Sequence, residues 1–337
     1  MLEAFIATER GSLQDATVRG SFDLDNEVVW VDLIAPGQEE QLWVQEAYNL
    51  NLPTLKSLED ISSSARYYRD DDGILHISTY FLTKNKSLQA DSETEENSHI
   101  LATAQTVAFI LLKDRLFTLR GEKLVAFRAF RARAKRNDYE MDYKDPVWIL
   151  LGLLEAKLDE LADILEDVHK DLEKYSTEVL NNHHREYVLD LDDMVTRLAQ
   201  QEDVLGKAQL CLIDLRRVLT FLSRPRALGS HIYDVDVREL NEDVRSLVEH
   251  NAFLFQKVRF LLDTTSGFIN TEQSDTIKRF SILPSMLAPP MLIASLYGMN
   301  TDILPFAHGT YSFMVVFAIV LIFFFGPLIY FRMKKWI

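Results

Sequence analysis

Phe280–Met299 reads FSILPSMLAPPMLIASLYGM, and Tyr311–Phe331 reads YSFMVVFAIVLIFFFGPLIYF; neither stretch contains a charged residue. As helices rising about 1.5 Å per residue, each would cover about 30 Å, the thickness of a bilayer's hydrocarbon core. Core helices of soluble proteins seldom run so long without a charge, so the pair predicts a two-helix transmembrane hairpin. The first stretch is the less apolar and holds Pro284, Pro289 and Pro290. A proline inside a lipid-facing helix leaves a carbonyl unpaired, which is tolerated where the helix lines water or packs on protein. The first span is therefore expected to face a pore or a protein interior, and the second to face lipid.

Flanking charge orients the hairpin. Lys278 and Arg279 precede the first span, and Arg332, Lys334 and Lys335 follow the second. The connecting segment Asn300–Thr310, NTDILPFAHGT, has neither lysine nor arginine. The positive-inside bias puts both termini in the cytoplasm and the short loop outside. Two spans cannot enclose a hydrophilic path alone, so any channel must be built by several copies around an axis.

The rest of the chain reads as a water-soluble protein. Of its 337 residues, those before Phe280 carry the whole of the negative balance behind a formal net charge of −15. Such an excess repels nucleic acid and anionic lipid and attracts cations. The single cysteine, Cys211, excludes an intrachain disulfide and a cysteine-built metal site and suits a reducing cytoplasm. The N-terminus shows no basic region followed by an apolar core, so no cleaved signal peptide is expected.

Residues 1–140 alternate short apolar runs with turn signals and predict an α/β domain. Val28–Leu33 reads as a strand, Ile74–Phe81 as a strand leaving the Asp70-Asp71-Asp72-Gly73 turn, and Thr106–Lys113 with Leu116–Leu119 as a hairpin. Glu39–Tyr48 reads as a helix, and Ser87–Ser98 as an acidic loop. Residues 141–233 predict a helical hairpin. Its first arm, Trp148–Leu180, carries a polar face rich in acid that includes Glu155, Asp159 and Glu160; its second runs from about Arg185 to Leu222. A stalk helix follows over 234–279. Leu240, Val244, Leu247, Asn251, Leu254, Val258, Leu261, Thr265 and Phe268 alternate in steps of four and three, a heptad seam that runs into the first span over 280–337. One helix over 234–297 would be about 95 Å long. The seam is expected to associate with other copies around the axis.

Tyr297-Gly298-Met299-Asn300 closes the first span. Glycine permits close approach at a helix end, and Asn300, repeated around an axis, would give a ring of neutral oxygens. Such a ring suits a hydrated hard cation such as Mg²⁺, which gives up its waters reluctantly.

With this motif in place the sequence resembles the CorA family of divalent-cation transporters, and its proteobacterial branch most. The likeness rests on Gly298-Met299-Asn300, the two C-terminal spans and the ending Lys334-Lys335-Trp336-Ile337. It also rests on Trp30-Val31-Asp32-Leu33, Leu58-Glu59-Asp60-Ile61, Ala65-Arg66, Asp70–Gly73, Asn251–Lys257 and Gly267-Phe268-Ile269-Asn270. The resemblance implies a funnel-shaped homopentamer in the bacterial inner membrane. It implies passive Mg²⁺ uptake, with Co²⁺ and Ni²⁺ as further ions, and intersubunit Mg²⁺ sites that close the pore from the cytoplasm. Carried over by position, Gly298, Met299 and Asn300 form the entrance, and Ser274, Ile277, Phe280, Pro284, Ala288, Met291 and Ser295 line the pore. Ile277 and Phe280 make an apolar constriction of the kind that gates by dewetting. Glu239 stands as the stalk carboxylate, with Asp234, Asp236, Glu242 and Asp243 around it and Asp70, Asp71, Asp72 or Glu59-Asp60 as partner acids.

Two pore positions and the outer loop depart from the family pattern. Ser274 replaces a common asparagine, and Ala288 a bulkier apolar residue. Leu304-Pro305-Phe306-Ala307 stands where Met-Pro-Glu-Leu is usual, which leaves Asp302 and His308 as the polar residues of the outer loop. Two other readings stay open: a Zn²⁺ transporter of the ZntB type, and a non-conducting membrane scaffold. An enzyme is not expected, since no phosphate loop, nucleophile triad or helical histidine pair is present.

Overall fold

The computed structural model describes residues 1–16, 27–50, 52–59, 66–86, 100–136, 141–181, 191–224, 227–299 and 311–334. They form two compact units, Met1–Leu261 and Leu262–Ile337.

The first unit is built on β3 (Val28–Ile34), a strand buried at every residue. On one side it pairs antiparallel with β1 (Leu2–Ala7), which carries β2 (Leu13–Ala16) at the edge. On the other it pairs parallel with β7 (Leu116–Arg120), followed outward by β6 (Ile100–Leu111), β5 (Leu75–Lys86) and β4 (Tyr67–Arg69), all antiparallel. The full order is β2-β1-β3-β7-β6-β5-β4. The β6–β7 hairpin read from the sequence is present.

A strand buried on both faces needs apolar cover on each. Val31 and Leu33 point to the side of α1 (Gln38–Tyr48) and α2 (Leu55–Glu59), where Val44, Leu50, Leu52 and Leu58 meet them. Asn49 ends α1 in the left-handed conformation (φ 50°), which asparagine tolerates better than most residues. Trp30 and Asp32, in the alternate register, face α3 (Val125–Arg136) and α4 (Pro146–Asn181). Trp30 stacks on Phe5 at 4.4 Å and meets Phe130 edge-on at 5.7 Å. Gly152 of α4 lets that ring in: a Cβ there would stand 2.4 Å from the Phe130 ring.

The same face buries charge. Arg120 donates to both carboxylate oxygens of Asp32, at 3.1 and 2.6 Å, and both side chains are fully buried. Thr118 donates to Asp32 at 2.8 Å and accepts from Trp30 Nε1 at 3.1 Å. A second network joins the sheet to α4 and α5 (Leu191–Leu222). Lys157 donates to Thr79 at 2.6 Å, and Thr79 and the Tyr80 amide donate to Asp214 at 2.6 and 3.0 Å. Arg66 pairs with Asp214 at 3.3 Å. Burial pulls the Lys157 ammonium below its ordinary range, and burial pushes the neighbouring Cys211 thiol up to about 11, so that thiol stays protonated.

α6 runs from Asp234 to Tyr297 as one helix. Its seam corrects the sequence reading. Leu240, Val244, Asn251, Leu254, Val258 and Leu261 are buried within the chain's own first unit, not held free for another copy. Asn251 donates to Gln209 at 2.7 Å and to the Leu205 carbonyl at 3.4 Å, both on α5. A 4–3 pattern marks a helix with one apolar stripe, and it does not say which chain supplies the cover. The outward residues of this stretch include Phe253 and Phe260, each more than half exposed.

The second unit contains the rest of α6 and α7 (Ser312–Met333). Both helices pass the length and hydropathy requirements for crossing a membrane.

Removing Asp32 strands a buried guanidinium, for which a loss of about 3–5 kcal/mol is expected. Asp32→Ala is expected to lower the melting temperature of the detergent-solubilised full chain by many degrees. Arg120→Met together with Asp32→Leu is expected to recover part of that loss, because neither charge then needs a partner.

Candidate ion path and acidic sites

The first span ends where its backbone tightens. The Gly298 amide donates to Ala294 at 3.0 Å and to Ser295 at 3.2 Å, and the Met299 amide to Leu296 at 3.3 Å. A shift from i−4 to i−3 bonding closes a helix with a 3-10 turn. A Cβ at 298 would sit 3.3 Å from the Ala294 carbonyl oxygen, tighter than ordinary contact, so glycine is the residue that fits without adjustment. Asn300, Asp302 and His308 lie outside the described residues.

The residues expected to line a pore share one side of α6. At about 100° per residue, Ile277, Phe280, Pro284, Ala288, Met291 and Ser295 fall within an arc of about 80°. All are exposed in the single chain, as is Ser274. The covered stripe, Ile282, Met286 and Pro290, lies on the opposite side. Apart from α6, the only described helix of this unit is α7, whose better covered residues Val316, Val320, Phe324, Leu328 and Phe331 also form one stripe. Prolines 284, 289 and 290 sit inside the helix and deprive the carbonyls of Phe280, Ser285 and Met286 of their usual donors. Ser274 Oγ donates to the Asn270 carbonyl at 2.7 Å, so its hydroxyl is engaged by its own helix.

The acidic candidates belong to the first unit. Asp70 closes the turn into β5: it accepts the Ile74 amide at 2.7 Å and pairs with His76 Nε2 at 3.1 Å. Gly73 at φ 81° makes the turn possible. Burial pushes the Asp70 carboxyl up, but the His76 hydrogen bond, the Ile74 amide and the His76 charge outweigh it, and the group lies below the ordinary aspartate range. Asp71 and Asp72 are exposed. Asp72 lines a groove of about 970 Å³ with Asp142, Asp145 and Tyr233, and Tyr233 donates to Asp145.

At the start of α6, Asp234 pairs with His231 at 2.9 Å. Glu239, Glu242 and Asp243 are exposed, and Asp236 is half-buried. Of these, Asp236 and Asp243 act on Glu155 of α4, which the sequence places with Asp159 on that helix's polar face. Burial raises the Glu155 carboxyl above the ordinary range; Arg133 opposes this, and Asp159, Asp236 and Asp243 add to it by repulsion. Arg133 bridges the α4 pair, 3.0 Å from Asp159 and 3.8 Å from Glu155. The signal was available as acids at i and i+4 on α4 and at i and i+7 on α6, but which faces meet is a tertiary matter. Among the described residues no three Asp, Glu, His or Cys groups already converge on one metal-holding point.

An α/β unit followed by a long helix and a terminal apolar hairpin defines a class of membrane proteins, and comparison with known proteins narrows it. The sequence profile of the family described as "CorA-like Mg2+ transporter protein" matches residues 25–335. The chain belongs to the CorA family. It is 38% identical to the Magnesium transport protein CorA of Haemophilus influenzae over 93% of each chain. It is 37% identical to the protein of that name from Escherichia coli K12 over the full length of both. Its fold matches the complete structure of the CorA magnesium transporter from Methanocaldococcus jannaschii with a TM-score of 0.74, at 17% identity, over 100% of this chain and 99% of that one. The ZntB cytoplasmic domain from Vibrio parahaemolyticus aligns with 80% of this chain at a TM-score of 0.51 and 11% identity, covering 98% of that domain.

Two pH effects follow. An acid held below its ordinary value stabilises the fold above that value, and the contribution is lost as pH falls through the folded value. The Asp70 turn is expected to open as pH drops below the ordinary carboxylate range, read as faster exchange of the Ile74 amide, and His76→Phe is expected to shift that loss to higher pH. Glu155 has the opposite sign: its charged form costs stability as pH rises from the ordinary glutamate range through its raised value. Glu155→Gln is expected to raise the melting temperature at neutral pH in chelator, by less than about 1 kcal/mol for so exposed a group, and the gain disappears in acid.

Proposed function

We propose that this protein is a channel for Mg²⁺ uptake, with Co²⁺ and Ni²⁺ as further ions, working as a homopentamer in the bacterial inner membrane with both termini in the cytoplasm. The observation that carries this reading is the family match over residues 25–335 together with an intact Gly298-Met299-Asn300 at the end of a proline-bearing span. Five copies of the α6 face from Ile277 to Ser295 would surround one path. Asn300 would hold the hydrated ion at its entrance, and the rings of Ile277 and Phe280 would close it when dewetted. Phe253 and Phe260, exposed one heptad apart on α6, offer apolar surface for self-association.

Gating follows from charge. Asp236, Glu239 and Asp243 with Glu155 and Asp159 concentrate negative charge at the start of α6, and Asp70, Asp71 and Asp72 are the candidate acids of a neighbouring copy. Two unit charges about 4 Å apart repel by about 4 kcal/mol at a surface-like dielectric. Bound Mg²⁺ removes that repulsion, so cytoplasmic Mg²⁺ would favour a packed, closed state and its loss an open one.

The zinc alternative rests on residues 304–308, where the usual glutamate is absent and a histidine is present. One experiment separates the readings. In proteoliposomes with negative internal potential, Mg²⁺ is expected to enter through the wild type, and Asn300→Ala to reduce entry at least tenfold. Zn²⁺ entry without Mg²⁺ entry would favour the zinc reading, and no flux of either ion would favour the scaffold.

A further inference from the structure

Helix α3 carries five cations, Arg128, Arg131, Arg133, Lys135 and Arg136, and no acid, in a chain whose formal net charge is −15. Its two sides use them differently. Arg133 turns to Glu155 and Asp159 of α4. Arg128, Arg131 and Lys135, spaced by three and four residues, line an open groove of about 630 Å³ between α3 and the β1–β2 hairpin. There Arg131 pairs with Glu3 of β1, and Lys135 with Asp15 of β2 at 2.5 Å. Arg128 is exposed, and no described group pairs with its guanidinium. We infer that this groove binds a small phosphate-bearing molecule of nucleotide size, anchored on Arg128.

The position of Arg128 is the first reason. It ends the first turn of α3, where the helix dipole disfavours a cation and an acid is the usual choice. Lys135 and Arg136 lie in the last turn, where the dipole itself accounts for them. Arg128 has no such account, and its charge is left over once the two carboxylates of the groove are paired. The chemistry of the walls is the second reason. Arginine presents a planar fork of N–H donors that takes phosphate oxygens two at a time. Arg131 stands with its guanidinium 5.7 Å over the Phe5 ring, which limits its movement. Arg128 and Lys135 are about 10 Å apart along the helix, a distance that two long side chains close around linked phosphates. Space is the third reason. Ala4, Ala16 and Ala132 leave the groove open between its charged walls, and its volume falls in the usual range of small-molecule sites, about 300–1,000 Å³.

Glu3 and Asp15 oppose any anion, and this sets the selectivity. The Lys135–Asp15 pair is exposed, so it contributes little and a phosphate can displace the carboxylate. A single small anion gains too little from Arg128 alone to do so. Two linked phosphates reach Arg128 and Lys135 together, while the more covered Arg131–Glu3 pair stays closed beside them.

The test is calorimetric titration of the full chain in detergent with ADP, pyrophosphate and sulfate, at matched ionic strength and in EDTA so that no divalent ion bridges protein and ligand. ADP and pyrophosphate are expected to bind saturably at one site per chain, at least tenfold tighter than sulfate. Arg128→Ala is expected to weaken ADP at least fivefold with the melting temperature of the ligand-free chain unchanged, and Arg128→Lys to restore part of the loss. Glu3→Gln with Asp15→Asn is expected to tighten ADP severalfold. Absence of saturable binding by the wild type, equal affinity for sulfate and ADP, or full ADP affinity in Arg128→Ala would overturn the inference. The groove lies outside the pore face and the acidic sites, so Mg²⁺ entry through Arg128→Ala tests the transport reading separately.

Discussion

Every peptide group inside a bilayer must find its hydrogen-bond partner within the protein, and this requirement governs the C-terminal part of the chain. The stretch around Phe280–Met299 meets it as a continuation of α6, which closes most of its own backbone bonds from Asp234 to Tyr297. Prolines 284, 289 and 290 break that economy at three carbonyls, and Ser281 and Ser285 engage others, donating to Ile277 and Ser281. A helix with such defects is poorly suited to lipid on every side. Its exposed side, from Ile277 to Ser295, therefore needs cover from protein or water, and a chain with two spans cannot provide enough of it.

The first unit solves a different problem, that of holding a mixed sheet rigid while burying charge. β3 is apolar toward α1 and α2, yet carries Asp32 toward α3 and α4. Arg120, Thr118 and Trp30 saturate that carboxylate, and Phe127 covers the guanidinium at 4.3 Å. Lys157, Thr79, Asp214 and Arg66 repeat the arrangement one layer further out. Both networks tie sheet to helix through directional bonds, and apolar contacts alone would define these angles less sharply. The start of α6 is joined to α4 in the same way, through Tyr233 and Asp145.

Glu155 on α4 is repelled by Asp159 on its own helix and by Asp236 and Asp243 on α6, and Arg133 offsets the α4 pair.

Much of this was legible in the sequence. Uncharged runs of twenty residues admit few solutions other than membrane spans, and the Gly298-Met299-Asn300 motif, followed by a loop without lysine or arginine and a basic end, marked out the candidate entrance. Helix α4 and strand β3 were likewise readable, because hydrophobic period and turn residues act locally. The seam of α6 was not. Its 4–3 pattern specified an apolar stripe, but only the packing of α4 and α5 decided that Asn251 and its neighbours are covered by their own chain. The meeting of Glu155 with Asp236 was also out of reach, since it joins residues about eighty positions apart. Sequence periodicity determines which face of a helix is apolar or charged; which face it meets depends on how the whole chain folds back, and that only the tertiary structure decided.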